Sequence, residues 1–103
     1  MIYEVNITEQ AETDLQEIYK YIALELCAPA HAEGQINRLE AKILKLSTFP
    51  YKYREYEEEP WKSMGVRKMP VDNYVVFYIP DDDTASVTVI RIMYNARDVK
   101  NQL

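Results

Sequence analysis

Six consecutive apolar or aromatic residues, Tyr74-Val75-Val76-Phe77-Tyr78-Ile79, constrain this chain more than any other segment. Asp72-Asn73 stands before them and Pro80-Asp81-Asp82-Asp83 after, both turn-forming groups. So short a run between turns reads as a strand. Alternation puts Tyr74, Val76 and Tyr78 on one face and Val75, Phe77 and Ile79 on the other. Neither face is suited to water, so this strand belongs in the middle of a sheet with cover on both sides.

Candidate neighbours flank it. Gly65-Val66-Arg67-Lys68-Met69-Pro70-Val71 precedes the turn, and Val87-Thr88-Val89-Ile90-Arg91-Ile92-Met93-Tyr94 follows the aspartates. In the last strand, strict alternation groups Thr88, Ile90, Ile92 and Tyr94 on one face and Val87, Val89, Arg91 and Met93 on the other. Burying an unpaired guanidinium is costly, so Arg91 is expected to point away from any covering helices.

The first half supplies those helices. Ile2 to Ile7 alternates as a short opening strand, and Thr8 is placed as an N-cap with Glu9 and Glu12 in the first turn. Ala11, Leu15, Ile18, Ile22 and Leu26 then recur at steps of three and four, which is one apolar stripe of a helix. Pro29 ends it near Ala28 and opens a second helix with Ile36, Leu39, Ile43 and Leu46 on its stripe. Phe49-Pro50 closes that helix, and 51–60 reads as an irregular connection. The expected fold is α+β, in the order β-α-α-β-β-β, with a helical hairpin on one face of a mainly antiparallel sheet. The second sheet face is left for the chain's own tail, Val99 to Leu103, or for a partner.

At 103 residues, one domain spanning 1–103 is expected. One cysteine, Cys27, excludes an internal disulfide, and two glycines leave no Gly-rich phosphate loop. No long apolar run or export leader is present, so a cytoplasmic location without membrane contact is expected. The net charge is −5, but it is unevenly spread. Residues 1–60 hold twelve acids against six bases, whereas 61–103 hold five against six. A local basic face can therefore meet phosphate even though the chain as a whole is acidic.

Most polar groups read as ordinary surface. Asp81-Asp82-Asp83 lacks the spaced ligands and glycine of a calcium loop, so no metal or cofactor is expected. His31 and Glu57-Glu58-Glu59 read as solvated, Cys27 as a small filler, and most of the nine tyrosines as packing. RNA cleavage needs cations at the phosphate and a proton donor, for which Arg67, Arg91 and Tyr94 are the candidates. Lys68, Asn95 and Arg97 are the candidate target-binding residues beside them. The strands lack a histidine, and no carboxylate stands out as a base.

The strand series, with Asn73-Tyr74 leading into Val76-Phe77-Tyr78 and Arg91-Ile92-Met93-Tyr94 followed by Arg97-Asp98, resembles the RelE/ParE family of bacterial toxins. The resemblance spans nearly the whole chain. It implies the toxin of a type II toxin–antitoxin system of the plasmid-stabilisation kind, arresting growth until a cognate antitoxin neutralises it. Members that cut messenger RNA on the ribosome commonly carry an arginine where this chain has Val75. The chain keeps Arg97 and Asp98 of the ParE-like ending, whose known members poison DNA gyrase. The resemblance therefore implies a ParE-like toxin that binds a protein such as DNA gyrase. The alternatives are a metal-independent, ribosome-dependent endoribonuclease and an inactive fold that only binds its antitoxin. The antitoxin is expected across the open sheet face, on Val75, Phe77 and Ile79.

Overall fold

The computed structural model describes residues 2–95. Its order is β1 (Glu4–Ile7), α1 (Glu9–Lys20), a π-helical turn (Tyr21–Glu25), α2 (Pro29–Lys45), β2 (Arg67–Val71), β3 (Tyr74–Asp81) and β4 (Ser86–Tyr94). The sheet runs β1-β4-β3-β2, with β1 parallel to β4 and the other pairs antiparallel. The apolar run is thus an inner strand, as its two-sided pattern requires. It continues through Pro80 to Asp81, because β2 pairs only as far as Tyr78 and that flank of β3 is open.

Thr8 opens α1 as expected: its Oγ1 accepts the Ala11 N–H at 3.1 Å, and its hydroxyl donates to the Ile90 carbonyl at 3.2 Å. Ala11 and Ile18 of α1, Leu39 and Ile43 of α2, and Leu46 just after α2 are buried against Met69, Val76, Tyr78, Val87, Val89 and Ile92. Leu15, Ile22 and Ile36 pack at the margin of this core. The expected stripe fails at Leu26, which is 56% exposed. The π turn adds a residue to the last helical turn and rotates Leu24 and Leu26 out to solvent. Cys27 then reverses the chain at a φ of +52°, a conformation that suits glycine. Its side chain is exposed, so Cys27→Gly is expected to raise stability by about 0.5–1 kcal/mol in urea unfolding. A lower midpoint would show that the cysteine side chain contributes packing.

Two expectations about β4 are corrected. Phe77 pairs with Arg91 but Tyr78 pairs with Val89, so Ile90 is an extra residue in a bulge. The bulge shifts the pattern: Val87, Val89 and Ile92 face the helices, whereas Ile90 and Met93 pack on the second face. Arg91 does not avoid the helices. Its guanidinium meets Asp14 of α1 at 2.8 Å, which removes the cost of burying it unpaired.

The second sheet face is covered by the connection between α2 and β2. Tyr56, Trp61 and Val66 lie over Phe77, Val75, Ile79 and Met93, with the Tyr56 ring 6.0 Å from that of Phe77. Phe77 is 2% exposed, so Val75, Phe77 and Ile79 form no open strip. The tail at Val99 to Leu103 lies outside the described residues.

Asp82, read from sequence as a solvated turn residue, ties three segments together. Its Oδ1 accepts the hydroxyls of Tyr3 at 2.6 Å and Tyr51 at 2.7 Å. These bonds hold the Asp82 carboxyl below its ordinary range. The same carboxylate, with burial adding to it, raises Tyr3 and pushes Tyr51 up to about 12. A depressed carboxyl contributes stability above its unfolded pKa and loses it as pH falls through the lower folded value. A raised tyrosine contributes below its unfolded value near 10 and loses it as pH rises towards 12. Asp82→Asn is therefore expected to lower the melting temperature at neutral pH and flatten both the acid and the alkaline limb of its pH profile. An acid limb with the wild-type slope would remove Asp82 from this role.

Candidate functional site

The geometry of the main cleft follows from the short reach of β1. That strand ends at Ile7, opposite Val89, while β4 runs on to Tyr94. The exposed flank of β4 needs a hydrogen-bond partner, and α1 provides one from a side chain. Asp14 Oδ2 accepts the Ile92 N–H at 2.9 Å, as a strand carbonyl would. The same carboxylate accepts Arg91 Nε at 2.8 Å and Nη2 at 3.3 Å, and Gln10 Nε2 donates to it at 3.2 Å. Asp14 is 5% exposed, and its two oxygens have four donors.

Beyond this pair, the helical hairpin and the end of the sheet diverge to leave a cleft of about 820 Å³. Ile18 and Ile22 form part of one wall, and Met93 with the Tyr74–Tyr94 pair forms part of the other. Those two rings meet edge to face at 5.7 Å. Burial, and then the neighbouring hydroxyls of Tyr94 and Tyr21, raise the Tyr74 phenol above its ordinary value. Tyr21, Leu26 and Tyr94 are each about half exposed at the mouth, with values of 54%, 56% and 47%. Glu17, His31, Arg38 and Arg91 add charge or hydrogen-bonding capacity around the lining. At the far end the Asn95 N–H donates to the Asn73 carbonyl at 2.8 Å. An apolar and aromatic floor with mixed charges suits an amphipathic polypeptide segment.

Arg38 is fixed at the rim. Its Nε donates to Asp72 at 2.8 Å, and Gln35 Nε2 donates to the same oxygen at 3.0 Å. These bonds, Arg38 foremost, hold the Asp72 carboxyl below its ordinary range. They also dock the β2–β3 turn onto α2.

The cleft takes in Arg91 and Tyr94, with Asn95 at its end, but not Arg67. Arg67 donates to the Tyr53 carbonyl at 2.7 Å, meets Glu55 at 3.3 Å and lies over the Tyr51 ring at 4.8 Å. It fastens the connection to β2, and its side chain is only 17% exposed. The register sets it opposite Tyr78, four residues from Tyr74, or about 13 Å along the strand from the Tyr94 end. Lys68 points to the other face, with Nζ 5.4 Å from the Tyr56 ring centre. The three residues expected to act on phosphate are therefore not gathered, and Arg97 lies outside the described residues. Among the described residues no three His, Cys, Asp or Glu side chains form a metal-binding group. Nor is any helix there long and apolar enough to cross a membrane.

Asp14, Gln35 and His31 were missed as site residues. The signal was present: Asp14 interrupts the buried series Ala11, Asp14, Ile18, and Gln35 interrupts Ala32, Gln35, Leu39. A polar group on a buried stripe needs a partner, and here the partners are at the cleft.

The family model of the ParE toxin of the type II toxin–antitoxin system, parDE, matches residues 5–99. No curated protein sequence matches this chain. Among solved structures, the chain is similar to one from the chromosomal ParDE toxin–antitoxin system of P. aeruginosa, with a TM-score of 0.71 and 18% identity over 90% of this chain and 96% of that one. It is also similar to a mutant of the E. coli toxin RelE in the free state, at 0.67 and 16% over 100% of both chains. A third match is a chain of the RelBE2 toxin–antitoxin complex of Mycobacterium tuberculosis, at 0.65 and 20% over 91% and 99%. At these identities the structural matches establish the fold.

Proposed function

This chain belongs to the ParE toxin family of type II toxin–antitoxin systems, and on that premise we propose that it arrests growth by binding a protein target, with DNA gyrase the first candidate. Residues 1–103 act as one toxin domain, in the cytoplasm where such a target resides. An antitoxin neutralises it by occupying the cleft between the hairpin and the end of the sheet. The observation that carries the choice of target is the arrangement of cations. Arg67 is bound to the connection and Arg91 to Asp14, at separate places in the fold. A site that cleaves RNA needs its cations converging on one phosphate. Similar structures come from ParDE and RelBE toxin–antitoxin systems, which supports an antitoxin partner for this chain.

One observation favours the nuclease reading. The cleft brings Glu17 and His31 to the same lining as Arg91 and Tyr94, which supplies side chains of the general acid–base type. The two readings separate in one experiment. The chain is expressed alone in bacteria, and growth, plasmid supercoiling by purified gyrase and message integrity are measured together. Growth arrest with inhibited or poisoned gyrase and intact messages is the expected result. Codon-positioned cuts in translated messages would establish the nuclease instead. Normal growth, with antitoxin binding retained, would identify an inactive toxin fold.

A further inference from the structure

Helix α2 sorts its charges by face. At 3.6 residues per turn, His31, Arg38, Lys42 and Lys45 fall on one flank and Glu33 and Glu40 on the opposite one. The basic flank borders the buried line of Ala32, Leu39 and Ile43 on the side next to β2. From His31 to Lys45 it extends about 21 Å.

This flank lies beside two depressions that share a residue. His31 and Arg38 line the large cleft. Arg38, Lys42 and Lys45 line a second groove of about 370 Å³, whose other wall includes Pro70 and Val71 of β2. Arg38 lines both, so the two depressions lie end to end along the helix. Asp72, also in the second groove, is already bound by Arg38 and Gln35. Lys42 and Lys45 are exposed, and among the described residues neither meets a carboxylate at ion-pair distance.

A strip of cations in a chain of net charge −5 is a local attraction for an anion. The surroundings favour polypeptide over nucleic acid. The groove has Ala41, Pro70 and Val71 beside its cations, and the cleft continues it with Ile22, Leu26 and Met93. Carboxylates interspersed with apolar side chains match that lining, whereas an unbroken run of phosphates leaves its apolar wall without a partner. Strand addition to β2 is disfavoured. The Lys68 N–H already donates to the Arg54 carbonyl at 3.0 Å, and Pro70 has no N–H to offer.

We propose that these two depressions together seat an acidic polypeptide segment, its carboxylates on Arg38, Lys42 and Lys45 and its apolar side chains in the cleft near Leu26 and Met93. The inference rests on the cleft being the antitoxin surface, and it adds the chemistry of the segment and its course along α2.

The test uses the whole chain and three probes: a labelled 15-residue glutamate- and leucine-containing peptide, a 15-nucleotide uridine RNA, and the protein encoded beside this one. Each is titrated against wild type, Lys42→Ala/Lys45→Ala, Lys42→Glu/Lys45→Glu and a Lys20→Glu control, with circular dichroism confirming folding. Exposed pairs contribute little individually, so the alanine pair is expected to weaken peptide and neighbour-protein binding roughly threefold, and charge reversal roughly tenfold or more. The control should bind as wild type, and added salt should reduce the differences. Tighter binding of RNA than of peptide overturns the proposal, as does a peptide that does not bind. Neighbour-protein binding that ignores both substitutions also overturns it and leaves the antitoxin reading intact. A peptide that binds as expected while the neighbour protein does not bind wild type supports the proposed seat and removes the antitoxin reading instead.

Discussion

Asp14→Ala is expected to destabilise the chain by about 3–5 kcal/mol, the usual loss when one partner of a buried ion pair is removed. Three consequences add together. Arg91 loses the carboxylate that offsets its burial, the Ile92 N–H loses its acceptor on the open flank of β4, and Gln10 loses its partner. Native stabilities of small domains are only about 5–15 kcal/mol, so this one change removes a large share. Urea unfolding monitored by circular dichroism measures it. Asp14→Asn can still accept the Ile92 N–H but carries no charge, so its loss should be smaller. The double variant Asp14→Leu/Arg91→Met should recover part of the stability, because well-packed apolar pairs often replace buried ion pairs without loss. If Asp14→Ala unfolds at the wild-type urea concentration, the pair is not holding the edge of β4.

The main lines of the fold were legible because they rest on periodicity. Ala11, Ile18, Leu39 and Ile43 repeat at helical spacing and are buried, and the two-sided run at Tyr74 to Ile79 is an inner strand. Features set by the meeting of distant segments were not legible. The bulge at Ile90 has no glycine or proline to announce it, and it alone sets Val87 and Val89 on the same face as Ile92 and turns Ile90 to the other. The cover over Phe77 comes from Tyr56 and Trp61, in a connection with no period to read. Half of the cleft was visible as well: Arg91 and Tyr94 were singled out on β4, whereas their neighbours Glu17, His31 and Arg38 lie on helices whose polar faces looked merely solvated. Arg67 looked equivalent to Arg91 in the sequence. Its environment differs because the connection folds back across β2 and offers it the Tyr53 carbonyl and Glu55.

Phe77→Asp is expected to prevent stable folding. Phe77 is 2% exposed and sits among Val66, Met93, Tyr56 and Trp61. Removing a buried phenylalanine side chain alone costs about 3–5 kcal/mol through lost transfer energy and the cavity left behind. The carboxylate adds a further penalty in this apolar layer, because the two cations opposite it in register are already engaged, Arg91 by Asp14 and Lys68 over the Tyr56 ring. The total approaches the whole stability of a domain this size. Low soluble yield and a circular dichroism spectrum without a cooperative thermal transition are the expected readouts. Met64→Asp, at a position 53% exposed on the same connection, should fold normally and serves as the control. A folded Phe77→Asp chain that has lost only antitoxin affinity would mean that this face opens to a partner. In that event the antitoxin surface would move from the cleft to Val75, Phe77 and Ile79.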